Sequence, residues 1–206
     1  KYYRRQVEQW QSLKPGSRVK VGTVQEGSAL NQVGFAAADV YFDASKLQKE
    51  LTNHGDHLTA ELVQRIPELL NDPIAITQAM TLKNTVNVFG DLQTADGTPV
   101  LVGVMVAKDV AGRNAVTKIR TIHARSDFAK LITDESILYL NENKKKTKEW
   151  FQVRGNRVPL DGTSFGLIRS IQLGDADVKY SEKISGAVTQ EELEKARAEY
   201  REAERA

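Results

Sequence analysis

Cysteine is absent from this 206-residue chain, which excludes a disulfide scaffold, a thiolate zinc site, an iron–sulfur cluster and a cysteine nucleophile. Long apolar runs are missing as well. No stretch approaches the roughly 20 residues that a membrane-spanning helix needs, and the opening KYYRRQVEQWQSLKPGSR lacks the apolar centre of a signal peptide. There is no glycine-rich phosphate loop, no GxGxxG, no GxSxG and no HExxH. Carboxylates do not gather on the β-rich segments, which weighs against a two-metal nuclease or a glycosidase pair. Only three histidines occur, so any acid–base chemistry near neutral pH rests largely on them.

What is present suffices for one well-buried core, because a chain of this size buries on the order of 70% of its unfolded surface. The net charge of +2 is too small to announce a polyanion binder, but it averages over unlike regions. Between residues 108 and 170, thirteen Lys or Arg stand against seven Asp or Glu, a local surplus of six. A patch of that kind suits phosphate contacts. The last residues, TQEELEKARAEYREAERA, are dense in both signs with mostly Ala as apolar residues, which predicts a solvated linker helix. The chain opens on Lys1, as a segment of a longer polypeptide would.

Periodicity divides the chain. Tyr3, Val7, Trp10 and Leu13 share a helical face that Pro15-Gly16 ends. RVKVGTV and DVYFD read as strands and ASKLQKEL as a helix. In LTAELVQRIPELLNDP, Leu58, Leu62, Ile66, Leu69 and Leu70 make one apolar face, with Thr59 as N-cap and Pro67 forcing a kink or restart. The period then shortens to two in IAITQAM, NTVNVFGDL, TPVLVGVMVA and NAVTKIRTIHA, separated by the turn signals ADG and AGR. DFAKLI reads as a short helix, ILYL as a strand and NKKKTKEWFQV as a helix. Helices followed by hairpin-linked strands predict an α+β fold, with N-terminal helices laid on an antiparallel β-meander.

Three groups of residues could carry chemistry. His54-Gly55-Asp56-His57 precedes the amphipathic helix; it lacks the register of a metal site and reads either as a polar turn capped by Asp56 or as the place of an acid or base, His57. His123 lies in KIRTIHARSDF; in a regular strand Ile119, Thr121, His123 and Arg125 point one way, and Lys118, Arg120, Ile122 and Ala124 the other. That places an imidazole, a guanidinium and a hydroxyl together. Lys144, Lys145, Lys146, Lys148, Arg154 and Arg157 form the densest basic tract, interleaved with Trp150 and Phe151. It reads as a set of phosphate contacts, or as a solvated helix face whose aromatics anchor in the core. Histidine, basic side chains and hydroxyls are the parts that RNA cleavage through the 2′-hydroxyl requires, and no metal or other cofactor is expected.

The run HLTAELVQRIPELLNDPIAI, the meander with DGTPVLVGVMV, then KIRTIHA and ILYLNENKKKTKEWF together resemble the C-terminal domain of phage MuF-type head proteins and large polyvalent phage proteins. That domain is grouped with barnase, EndoU, colicin and RelE-like nucleases. DVKYSEK is similar to a stretch that often follows it. The similarity covers about residues 20–182, and the expected division is an N-terminal linker helix at 1–17, a nuclease-like domain at 18–182 and the charged C-terminal linker helix at 183–206. The resemblance implies a toxin-like ribonuclease acting in a phage particle or, after delivery, in the bacterial cytoplasm. Its partners would be RNA such as tRNA, an immunity protein, and phage head or polyprotein modules, with no membrane. His57 falls where the family shows a His before the helix, while His123 stands where the family's pattern differs. Tyr139 and Lys144 to Lys146 match its Tyr-plus-basic segment. The competing expectation is a non-catalytic module that binds nucleic acid or capsid.

Overall fold

A computed structural model describes residues 2–55, 57–80, 84–108, 115–127, 131–133 and 136–153. The AGR turn, most of DFAKLI, Arg154, Arg157, DVKYSEK and the expected helix at 183–206 lie outside the described residues. Alternation of apolar and polar residues in two early runs produces β1 (Arg18–Thr23) and β2 (Asp39–Asp43), paired antiparallel. Val19, Val40 and Phe42 turn to one face, and Arg18, Lys20, Tyr41 and Asp43 to the other. The later runs become β3 (Ala75–Gln78), β4 (Thr85–Phe89), β5 (Val100–Lys108), β6 (Ala115–Ala124) and β7 (Ile137–Leu140). Strands β3 to β6 form the expected antiparallel meander.

The sheet is larger and more varied than a meander. Its order is β1-β2-β6-β5-β4-β3-β7, and β2 joins β6 in parallel through Val40 opposite Thr117 and Tyr41 opposite Lys118. Val40 and Phe42 belong to the same core as the meander's inner face, so the early pair buries them by extending that face. The finished sheet therefore has seven strands, mixed, not antiparallel throughout.

Among the described residues, five α-helices cover one face. They are α1 (Tyr2–Glu8), α2 (Ala29–Gln32), α3 (Ala44–Asn53), α4 (Ala60–Val63) and α5 (Ile66–Asn71). Tyr3, Val7, Leu30, Leu47, Leu51, Leu62, Ile66 and Leu69 pack there with Val86, Val88, Val102, Val104 and Ile122. Within the segment expected as a linker, residues 1–17, Tyr3 and Val7 are buried in this core, and the Tyr3 hydroxyl donates to the Val63 carbonyl at 2.9 Å. Pro67 restarts the helix as expected, sitting in the first turn of α5, and the Thr59 side chain accepts from the Leu62 amide at the start of α4.

The opposite face is covered over its β5, β4, β3 and β7 part by α6 (Lys144–Val153). Trp150 and Phe151 are its anchors, edge to face at 4.8 Å, packed with Ala75, Phe89, Leu101 and Leu140. Trp150 Nε1 also donates to the Gly90 carbonyl at 2.8 Å, so the indole satisfies its polar end inside the core.

Two corrections concern the strand that carries His123. The register between β5 and β6 shifts at Gly103/Val104, so that Thr121 faces Gly103 and Ile119 faces Val104, leaving Arg120 as the extra residue of a bulge. Ile119 and Ile122 therefore both enter the five-helix core, whereas Lys118, Thr121 and His123, opposite Met105, Gly103 and Leu101, share the other face. A glycine is needed at 103 because a Cβ there would meet Thr121 Oγ1 at 2.4 Å. Trp150→Ala should cost about 3–5 kcal/mol in urea unfolding, whereas Lys145→Ala, whose side chain is 85% exposed, should cost less than about 0.5 kcal/mol.

Candidate functional site

Helix α3 begins at the last residue of β2 without a loop, with Asp43 as its N-cap residue. Asp43 also accepts from Lys118 Nζ at 3.0 Å, which ties the start of α3 to β6. Along α3, Lys46, Glu50 and His54 recur every four residues and so share one side of the helix, beside the core residues Leu47 and Leu51. Glu50 is only 4% exposed. Its carboxylate is held by Lys46 Nζ at 2.6 Å and has His54 Nε2 at 3.9 Å. A carboxylate buried in this way is tolerable because a cation accompanies it.

His123 closes the arrangement from β6. Its imidazole remains accessible to solvent, yet its proton affinity is lowered: desolvation by the surrounding protein is the main cause, and Arg125, Lys46 and His54 push in the same direction, against the attraction of Glu50. The neutral form that results at pH 7 can accept a proton. Arg125 follows at the strand end, where its amide donates to the Pro99 carbonyl at 2.9 Å. Its guanidinium grips Asp127 with two bonds, Nε to Oδ1 at 2.8 Å and a terminal nitrogen to Oδ2 at 3.0 Å. Lys46, Glu50 and His54 from α3 and its C-cap, and Arg125 from the end of β6, thus all act electrostatically on His123.

The other expected residues are placed elsewhere or otherwise engaged. His57 is exposed in the turn after α3 and acts electrostatically on Asp96, in the ADG turn between β4 and β5. Asp96 is held at about 2, chiefly by the Thr94 hydroxyl and the Thr98 backbone. Tyr139 is 8% exposed and lies in the five-helix core, across the sheet from α6; burial raises the pKa of its hydroxyl. Lys146 bonds to the Asp72 carboxylate and approaches Asp91 at 3.9 Å, and Lys145 faces Glu149 at 3.9 Å. Lys148 is exposed. Lys144 begins α6.

Sequence reading missed Lys46 and Glu50 and gave His54 no role. The signal was available in the Lys-Glu-His row at i, i+4 and i+8 inside ASKLQKELTNH, a polar stripe next to an apolar one. Among the described residues, no group of three or more His, Asp or Glu is arranged to hold a metal ion, and no helix is long and apolar enough to cross a membrane.

The His123 surroundings generate a pH test. Because its folded pKa lies below the unfolded value near 6.5, the folded state binds fewer protons. The contribution to stability is complete above that value and is lost as pH falls through the folded pKa. Denaturant midpoints should therefore drop between pH 7 and 5, and His123→Asn should flatten the drop. Glu50→Gln should lower the His123 pKa further, as read by imidazole proton shifts.

Comparison with known proteins adds one assignment. The phage MuF-C-terminal domain profile matches residues 46–148, half of the chain, beginning on α3 at Lys46 and taking in every residue of the cluster. No curated protein and no solved structure matches. The chain belongs to the phage MuF C-terminal domain family.

Proposed function

We propose that this chain is a phage head-associated module whose α3–β6 end cleaves RNA by transesterification through the 2′-hydroxyl, on a fold of the barnase/RelE-like kind. The observation that supports the reading is the accessible imidazole of His123, biased toward its neutral form and acted on by the charges of Arg125 and of a second imidazole, His54. A neutral imidazole removes the 2′-hydroxyl proton as the 2′-oxygen attacks phosphorus. The bond from phosphorus to the 5′-oxygen then breaks, and a protonated group returns a proton to that oxygen. The products are a 2′,3′-cyclic phosphate and a free 5′-hydroxyl. Arg125 and Lys46 are placed to stabilise charge that develops on the phosphoryl oxygens, and no step needs a metal ion. The proton donor is His54 from α3, or His57 from the turn that follows it.

A second reading, a module that binds nucleic acid or head components without cleaving, draws on the same geometry. Arg125 and Lys46 each already face a carboxylate, which leaves them less charge to spend on a transition state. An immunity protein that covers the α3–β6 end belongs to the first reading alone.

The discriminating experiment incubates the full chain with tRNA and total RNA in EDTA. Cleavage with cyclic phosphate ends is the expected result, and intact RNA across pH 5 to 8 would overturn the catalytic reading. His123→Ala should slow cleavage by roughly two to four orders of magnitude. His54→Ala and His57→Ala decide the donor, since only the true donor's loss should approach that effect.

A further inference from the structure

We propose that Lys46 and His54, held beside the buried Glu50 carboxylate, form with His123 and Arg125 at the end of β6, where the same groups act on His123, a phosphodiester-binding site that takes up a proton as it binds. The identity of the ligand as a nucleic acid rests on the ribonuclease reading; the proton linkage rests on the charges alone. Lys46 is paired with Glu50, and Arg125 with Asp127. Two cations stand against two carboxylates, so with His123 neutral these charges cancel. Anion affinity at this place is then decided by His123, which adds a positive charge when it protonates.

The groups acting on His123 are known from each side. Glu50, Lys46 and His54 act from α3 and Arg125 from its own strand end, with Asp127 opposite the guanidinium; its cross-strand neighbour is the apolar Leu101. A phosphodiester brought to this point adds one negative charge within the same small volume. It favours the imidazolium form, so binding and protonation reinforce each other by the same free energy. Glu50 is here a positioning residue. It fixes Lys46 at 2.6 Å and keeps His54 nearby, and too little of it is exposed for it to meet the ligand itself.

The probe is a 2′-deoxy dinucleotide, whose single phosphodiester stays negatively charged across the tested pH range and which has no 2′-hydroxyl to react. Calorimetry on the full chain, in buffers of different ionisation enthalpy from pH 8 down to 5.5, reads both Kd and protons taken up. Kd should tighten as pH falls, by no more than about tenfold per pH unit for one proton, and His123→Asn should flatten that slope. Lys46→Met should weaken binding at every pH. A Kd independent of pH, a slope retained in His123→Asn, or no binding at all would overturn the proposal. Proton-linked binding by a chain that leaves RNA intact keeps this site and removes the ribonuclease reading. Cleaved RNA with pH-independent binding does the opposite.

Discussion

The pairing of β5 with β6 is the constraint on which the rest of the structure depends. These are the two longest strands among the described residues, matched from Val100 opposite Ala124 to Lys108 opposite Ala115, and they join the early β1–β2 pair to the β4, β3 and β7 side of the sheet. Both faces of β5 are used. Val100, Val102, Val104 and Val106 enter the five-helix core, and Leu101 enters the core under α6. A strand buried on both sides reads as a near-continuous apolar run, as VLVGVMVA does. The bulge at Arg120 lets its partner serve two masters: β6 keeps both isoleucines in one core and still turns His123 to the opposite face.

The basic surplus of the later half is spent in an unexpected way. Lys146 holds α6 to the end of α5 through Asp72, a carboxylate that also accepts from the Asn141 amide at 2.9 Å. Lys118 holds β6 to the start of α3 through Asp43. Charges that look like a polyanion surface in the linear chain are thus partly fasteners between elements distant in sequence. Lys145 and Lys148 keep their exposed positions.

Much of this fold is legible from periodicity. The amphipathic stripe of Leu58, Leu62, Ile66, Leu69 and Leu70, the restart at Pro67 and the four meander strands follow from local rules, and each is found where those rules place it. The parallel junction of β2 with β6 was hidden because pairing partners separated by 77 residues leave no local trace. The bulge was hidden for a different reason: one inserted residue reverses parity without changing composition. At the site, His123 and Arg125 stand out as types of side chain, whereas Glu50 looks like any glutamate on a solvated helix until Leu47 and Leu51 show that its side of α3 is inward. Tyr139 shows the converse, since a residue type suited to phosphate contacts is occupied in the core.

The narrow seam between β2 and β6 has an entropic meaning. It comprises two residue pairs, Val40 with Thr117 and Tyr41 with Lys118, and it closes a loop that contains α3, α4, α5 and most of the meander. The entropy of closing such a loop grows with its length, while the hairpins inside it close at little cost. The hairpins of the meander are therefore cheaper to close than the β2–β6 seam. Because α3 starts where β2 ends, the position of the Lys46–Glu50–His54 row relative to β6 depends on the pairing of longest sequence separation in the described sheet.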